Sequence, residues 1–484
     1  MCGIVAVFGK DTYSIAETAL NKIKHRGKDA TKLLQLSFGT IGFNRLSIND
    51  KSDKAMQPFE FGNLVGVFNA EIYNAEELKT KFELQTNSNA DTEIILPLFE
   101  KIGSSIIHQL DGFYSGIIFN KLTNQIFTLK DYIGKKPLFY GNTEQFDFIT
   151  SELKAVEHIT KFEIIPKGVC EISNKKVVKI EEHKIPIVPK SNLKEIIIDA
   201  VKKRIPKEEE KFGVFLSGGL DSSIVAAIVS KFSDKAIFFS LGNVETLDLK
   251  FVLELSKVLN IENRLKIISL PAENEISDLI DKVVYYTESY NPSVVSNGLA
   301  TYLLSKAAHE DGIKVVISGE GADELFCGYP ISKNADVWFA KRIELIENMH
   351  FTELRRLDLA SMANTIEIRC PFLDINVFAA SNECLQNDLI ETTNGNLQGK
   401  KILRELFFDE LPKTIAERNK VSFDVGSGIR KLVVEYLTKS NNIEKESLKT
   451  VWLKHFPANL SDDKYFHSYP TFDKAIATRS TAHK

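Results

Sequence analysis

The sequence has few cysteines, no long apolar run and almost no net charge, and each shortage removes a class of protein. Its five cysteines among 484 residues, Cys2, Cys170, Cys327, Cys370 and Cys384, are odd in number, widely scattered and free of CxxC spacing. That pattern suggests neither a disulfide framework nor a zinc site and makes a reducing compartment the default. No stretch approaches the ~20 apolar residues of a membrane span. The first ten residues, MCGIVAVFGK, lack both a basic n-region and an apolar run long enough for a signal peptide. The expectation is a cytoplasmic protein with no membrane partner. A formal net charge of −4 gives no cationic footprint for nucleic acid. What remains is an ordinary globular composition, 43% hydrophobic and 26% charged, in a chain long enough for two or three domains and suited to small-molecule chemistry.

The stretch 212–232, FGVFLSGGLDSSIVAAIVSKF, is the most informative. A short apolar β-type run leads into Ser217, Gly218, Gly219, Leu220, Asp221, Ser222 and Ser223, and an apolar helix pattern follows. Adjacent glycines let the backbone approach an anion, the serines supply hydroxyl donors, and the free N–H groups of the first helical turn point the same way. The turn is neither a Walker A loop nor GxGxxG, because no Lys-Ser/Thr pair follows and the glycines are adjacent. A plain strand-to-helix turn capped by Asp221 or Ser222 is the competing reading of this stretch. Asp221 offers oxygen to a hard cation such as Mg²⁺.

In the first half, residues 2–8 read as a strand beginning at the first residue left after Met1 removal. A cysteine there carries its own α-amino group as a base for its thiol, although a small residue opening a buried strand would look the same. Polar clusters follow predicted elements: His25-Arg26-Gly27-Lys28-Asp29 after a helix pattern, Arg45-Leu46-Ser47-Ile48 after a strand, Asn69-Ala70-Glu71-Ile72-Tyr73-Asn74 after the apolar strand 64–68, and Asp91-Thr92-Glu93 before a helix. Short β-type runs at 112–119, 125–130, 138–140 and 146–150 fit stacked antiparallel sheets.

These motifs, MCGI, HRG.D, RLSI, N.EIYN and the following Asp, resemble the N-terminal-nucleophile (Ntn) glutaminase domain of class II glutamine amidotransferases. The resemblance implies Cys2 as nucleophile and a glutamine site spanning Arg45, Leu46, Ser47 and Ile48. In it Arg45 faces the α-carboxylate, Glu71 and Asp91 hold the α-amino group, and Asn69 with the Ala70 N–H forms the oxyanion hole. Two positions depart from the family, Ala70 for its usual glycine and Lys28 for its usual proline. If position 70 needs a positive φ, the Ala70 methyl adds strain. Asp131 and the residues after it resemble the family's D..G..PL.Y segment and read as structural.

From about residue 190 strands alternate with helices, the pattern of a parallel sheet with crossover helices, whose ligands bind beyond the carboxyl ends of the strands. SGGLDSS and SGEGADE, residues 318–324, both end such strands. With D..SM...IE.R.PFLD and R.K..F they resemble the ATP-pyrophosphatase synthetase domain of asparagine synthetases, so the likeness covers nearly the whole chain in the family's order. It implies that residues 217–223 cradle pyrophosphate, that Asp221 and Asp323 bind Mg²⁺, and that Phe215, Leu241, Ser318 and Gly319 border the adenylate. Glu320 matches the catalytic glutamate, and Lys420 would neutralise the leaving pyrophosphate. Asp358, Ser361, Glu367, Arg369 and Asp374 are expected to build the pocket. Cys327 replaces a family glycine.

The expected fold class is α/β: an N-terminal α+β Ntn-hydrolase-like sandwich of antiparallel sheets over residues 1–185, a linker at 186–192, and a doubly wound parallel-sheet ATP-pyrophosphatase domain with added helices over 193–484. The expected chemistry uses glutamine, aspartate and ATP, with ammonia carried internally to an acyl-adenylate. Rival readings are an amidotransferase adenylating another carboxylate and a silent nucleotide-binding homologue. A homodimer is open. The aromatic C-terminal segment, with Trp452, Phe456, Tyr465, Phe466 and Tyr469, either closes over the active site or packs on the domain.

Overall fold

A computed structural model of the chain describes residues 2–206, 210–393, 396–438 and 443–468. Met1, and with it the question of its removal, and Tyr469 lie outside the described residues. The chain divides into two compact units: Met1–Lys184 with Ser361–Glu367, and Ile185–Ala360 with Ile368–Lys484.

The first unit carries twelve strands: β1 (Gly3–Phe8), β2 (Ala30–Leu36), β3 (Gly39–Arg45), β4 (Phe59–Phe61), β5 (Leu64–Ile72), β6 (Gly112–Asn120), β7 (Ile126–Lys130), β8 (Phe139–Asn142), β9 (Asp147–Thr150), β10 (Lys161–Ile164), β11 (Gly168–Ser173) and β12 (Lys176–Glu181). They form two six-stranded sheets, ordered β10-β8-β9-β1-β3-β2 and β12-β11-β7-β6-β5-β4, with antiparallel pairing. Ile4, Ala6, Ile41 and Phe43 of one sheet pack with Val65, Val67, Ile117 and Phe119 of the other. The outer face of the second sheet, with Phe68, Ile72, Tyr114 and Ile118, packs with Leu78 of α2 (Ala75–Phe82) and Leu98 of α3 (Ile95–Ile102). The helix α1 (Tyr13–Lys22) lies on β1 and β3, and a Cβ on Gly42 would press on Leu20. This is the expected sandwich of antiparallel sheets, with helices outside it. Asp131 accepts from the N–H groups of Tyr114, Ile133, Gly134 and Lys135, which ties down the segment that follows it.

The strand expected to end at Phe68 runs on to Ile72, paired without a break from Leu64↔Asn120 to Ile72↔Gly112. Side chains alternate along it. Ala70 and Ile72 therefore join the apolar face of Phe68, while Asn69 and Glu71 share the side of Val65 and Val67. Ala70 is not among the residues with positive φ, so its methyl carries none of the strain a left-handed position would impose.

The second unit holds a sheet in the order β15-β14-β13-β16-β17: β13 (Phe212–Phe215), β14 (Ala236–Leu241), β15 (Leu265–Ile268), β16 (Val315–Ile317) and β17 (Glu367–Arg369). The first four pair in parallel, with β13 central as its unbroken apolar run predicts. Helices α4 (Leu193–Arg204), α5 (Leu220–Phe232), α6 (Leu249–Val258), α7 (Ile276–Thr287) and α8 (Pro292–Glu310) accompany the strands. The last of these begins at Pro292. Asn291 caps it by accepting from Ser293 and Val294, and Pro292 occupies its first turn. Among the described residues beyond 335, further helices flank β17 and a two-stranded antiparallel sheet, Ile390–Thr393 with Asn396–Gly399.

The C-terminal segment packs on its own unit. Trp452, Phe456, Tyr465 and Phe466 are buried. Tyr290 N–H and Ser289 Oγ both donate to the Phe466 carbonyl at 2.9 Å, Tyr465 Oη donates to Glu288 Oε2 at 3.0 Å, and the Arg355 guanidinium lies 3.5 Å over the Tyr465 ring. Among the described residues no helix is long and apolar enough to cross a membrane.

Candidate functional site

In the first unit one pocket is lined by Cys2, Arg45, Leu46, Ser47, Ile48, Asn49, Gln57, Ala70, Glu71, Asp91 and Glu367, among others. It gathers residues far apart in sequence because β1, β3 and β5 end near one another. Gly27 is required there, since a Cβ would lie 2.5 Å from the backbone of Asn44 and Arg45. Asp29 Oδ2 accepts from Ser47 N–H at 2.8 Å and so fixes the loop after β3.

Cys2 N–H donates to Asn69 Oδ1 at 2.9 Å, and Arg26 Nε donates to the Cys2 carbonyl at 3.0 Å. The Asn69 Nδ2 group is buried with no hydrogen-bond partner. An unpaired buried donor costs about 1–3 kcal/mol, and at a reaction centre it is a donor held ready for an anion. Burial pushes the Cys2 thiol up, while the Leu46 N–H and Arg26 pull it back. Gln57 clamps the residue before Asn69, donating to the Phe68 carbonyl and accepting from its N–H.

Arg45 uses two of its donors on the carbonyls of Ser52 and Asp50. Asn49, which no motif singled out, donates to both oxygens of Glu71 at 3.1 and 3.2 Å and to Asp91 Oδ1 at 3.0 Å. Asp91 Oδ2 accepts from Ile72 N–H at 2.6 Å. The pocket thus sets the Arg45 guanidinium and the Asn49-linked carboxylates of Glu71 and Asp91 beside the thiol, a charge pattern complementary to a free amino acid, with Asp50 also in its lining. Its only sequence signal for Asn49 is position, directly after RLSI. Glu367, expected merely to build the synthetase pocket, lines this one. Lys28 is exposed and is not among the lining residues.

In the second unit SGGLDSS follows β13 and SGEGADE follows β16, and the parallel pairing of these strands sets the two loops side by side. Gly218 has φ +68°, which a side chain would strain. A Cβ on Gly319 would lie 2.8 Å from the Asp221–Ser222 peptide, so the loops touch backbone to backbone. Ser222 Oγ accepts from Ser217 N–H and lies 3.0 Å from Ser217 Oγ. The α5 helix starts at Leu220 with Gly219 as an N-cap that has no side-chain hydrogen bond, which leaves first-turn N–H donors for a ligand. Ser223 Oγ and Asp221 Oδ1 are buried without hydrogen-bond partners. Phe215, Leu241, Ser318 and Gly319 sit at or just beyond the carboxyl ends of β13, β14 and β16.

Asp221 and Asp323 meet across these loops with Lys400 Nζ between them, 2.5 Å from Asp221 Oδ2 and 2.5 Å from Asp323 Oδ1. Lys420 Nζ donates to Asp323 Oδ2 at 2.5 Å. Burial raises both carboxyls, but the two lysines overcome it at Asp323, which is held low, whereas Asp221 stays raised. Burial alone would lower Lys420, yet Asp323 and Asp221 raise it. Arg418 donates to the Gly218 carbonyl at 2.9 Å and pairs with Asp248, bracing the glycine turn. Two oxygen donors with an unpartnered Asp221 Oδ1 fit a hard cation such as Mg²⁺ in donor type.

Glu320 is paired with Arg356, whose other arm donates to Thr301 Oγ1 at 3.0 Å. Beside it Glu324 accepts from Tyr329 Oη at 2.7 Å and is pushed up by burial and by Glu353, and burial takes Glu353 to about 7. Arg204 and Lys203 hold Asp374, and Arg369 donates to the Arg204 carbonyl, so these residues serve packing. Cys327 is buried and takes φ +54°, the left-handed conformation that suits a glycine. Lys400, Arg356 and Asn49 are the site residues that motif reading missed.

Comparison with known proteins follows the same division. A family model described as "Glutamine amidotransferase domain" matches residues 1–196, and one described as "Asparagine synthase" matches residues 192–356 and 340–471. An asparagine synthetase [glutamine-hydrolyzing] of Sandersonia aurantiaca is 31% identical over 88% of this chain and 87% of its own length. One of Cricetulus griseus is 30% identical over 97% of this chain and 92% of its own, and asparagine synthetase [glutamine-hydrolyzing] 1 of Lotus japonicus is 30% identical over 88% and 78%. With both models matched in order and relatives aligned along most of its length, the chain belongs to the glutamine-hydrolysing asparagine synthetase family.

Proposed function

We propose that the chain makes asparagine from aspartate, glutamine and ATP, releasing AMP and pyrophosphate. In the first pocket Cys2 Sγ attacks the glutamine side-chain amide. The C–N bond breaks, ammonia leaves, and water cleaves the thioester to glutamate. Arg45 binds the substrate's α-carboxylate, and Glu71 and Asp91, spaced by Asn49, bind its α-ammonium. Asn69 Nδ2 and the Ala70 N–H receive the oxyanion. The buried and unpaired state of Asn69 Nδ2 supports that role, because preorganised donors stabilise charge without reorganising at the moment of reaction.

In the second pocket the aspartate β-carboxylate attacks the α-phosphorus of ATP and displaces pyrophosphate. Ammonia then attacks the acyl-adenylate, and AMP leaves. Residues 217–223 cradle the phosphates with the N–H groups of the α5 terminus, and Phe215, Leu241, Ser318 and Gly319 border the adenylate. Lys420 neutralises the departing charge, and Glu320, oriented by Arg356, assists the ammonia step. Asp221 and Asp323 would hold Mg²⁺, which would supply further neutralisation of the polyphosphate charge.

The observation that carries this reading is the apposition of Asp221 and Asp323 from two glycine loops among Lys400, Lys420 and uncapped helix N–H groups. The substrates are small molecules, and the setting is cytoplasmic, in keeping with five free cysteines. Incubation with glutamine, aspartate, ATP and Mg²⁺ should yield asparagine, AMP and pyrophosphate in equal amounts; ADP as product, or no asparagine, overturns the assignment.

A further inference from the structure

Lys400 belongs to none of the motifs that mark the second pocket, yet its position is closely prescribed. Its backbone is left-handed at φ +61°, and its N–H donates to the Phe326 carbonyl at 3.0 Å. The preceding Gly399 has no room for a side chain: a Cβ would lie 1.7 Å from the Cys327 carbonyl oxygen. At Gly328 a Cβ would lie 2.0 Å from Asp323 Oδ1 and 2.3 Å from Lys400 Cε. Two glycine positions and an unusual backbone angle therefore admit one stem, which brings Nζ within 2.5 Å of both carboxylates.

A cation ligated by Asp221 and Asp323 together needs the space that this ammonium fills. Charge sets a second constraint. Lys400 and Lys420 already balance the two aspartates, and Lys400 is only 3% exposed. A divalent ion added alone would leave two uncompensated positive charges in a buried site, whereas one that arrives with a polyphosphate brings its own anion. We propose that Lys400 is the built-in counter-ion of the Asp221–Asp323 pair, that a divalent cation binds both carboxylates only by displacing it, and that the displaced ammonium pairs with the phosphates that accompany the metal. The proposal rests on the reading of Asp221 and Asp323 as metal ligands, and it makes metal entry conditional on nucleotide.

The test titrates the full-length chain with Mn²⁺ alone, following free Mn²⁺ by its EPR signal, with no nucleotide added. Lys400→Gln and Lys400→Met should each bind one Mn²⁺ at least about tenfold more tightly than the unaltered chain, because a like charge has gone. Lys400→Arg, which keeps the charge, should not. Combining Lys400→Gln with Asp221→Asn should abolish the gain. Equal Mn²⁺ affinity in the unaltered chain and in both neutral variants overturns the proposal, and so does a gain that survives Asp221→Asn. Thermal melts identify any variant that fails to fold, and Lys400→Met stands in for Lys400→Gln if needed. A parallel titration with ATP present separates the two levels. If Asp221→Asn abolishes ATP-dependent Mn²⁺ binding while the neutral Lys400 variants gain nothing, the counter-ion proposal falls and the ligand assignment stands. If ATP-dependent binding survives Asp221→Asn, both fall.

Discussion

The two pockets are assembled by opposite means. Around Cys2 the side chains come largely from β3, β5 and the loop after β3, spaced by regular antiparallel pairing, and a buried donor, Asn69 Nδ2, is left unpaired. Around Asp221 the groups come from loops beyond parallel strands, and their charges are cancelled internally by Lys400, Lys420 and Arg418. One pocket depends on exact placement of groups by strand pairing, the other on a balance of charge that a ligand must rearrange. Substitutions should therefore fail differently in the two.

The largest effect is expected from Cys2→Ala. Glutamine-driven asparagine formation should fall by more than about 10³-fold, since the proposed nucleophile is gone. Asparagine formation from added ammonium chloride should persist, and a parallel loss would mean that the pockets are not separable. Asp323→Asn should do the converse, cutting AMP and pyrophosphate release by about 10²–10³-fold while glutaminase activity, read as glutamate formed, survives. A third break falls on placement alone: Asn69→Ala should lower the glutaminase kcat by about 10²-fold with KM little changed. If KM rises and kcat holds, Asn69 binds the ground state and the oxyanion reading is wrong.

Asn49→Ala should act more gently. Without its bridge Glu71 and Asp91 are no longer held together, and KM for glutamine should rise by about tenfold at constant kcat, the loss of one to two charge-assisted hydrogen bonds. The smallest effect concerns Asp248, whose carboxyl is raised to about 6 by burial, with Arg418 opposing. The folded chain holds this proton more tightly than the unfolded chain does. Its stabilising contribution is therefore complete below the unfolded value near 3.9 and is lost as pH rises through about 6. Lowering pH from 7 to 5 should stabilise the unaltered chain relative to Asp248→Asn by about 1 kcal/mol, or about 2 °C in melting temperature. A difference that does not move with pH would place the proton elsewhere.

Sequence patterns made much of this architecture legible where one signal dominated. The apolar run that opens the stretch 212–232 announces β13, because buried parallel strands are continuous apolar runs. At β5 the polar residues Asn69 and Glu71 break the apolar run and look like its end, although they continue the buried face of Val65 and Val67. The strands β2 and β12 give no clear signal because neither has a fully buried position, with Val178 and Ile180 open to solvent. Motif residues such as Cys2, Asp221 and Asp323 announce themselves through their neighbours. Lys400 and Asn49 do not, since their meaning lies in partners 179 and 42 residues away.

Glu367 gives the first unit a property in time as well as in space. It lines the thiol pocket, and residues 361–367 complete the unit to which that pocket belongs. On the ribosome the N-terminal 184 residues emerge long before this last wall is made. A nascent chain or a proteolytic stump ending in the linker carries Cys2 without Glu367 and the rest of that segment.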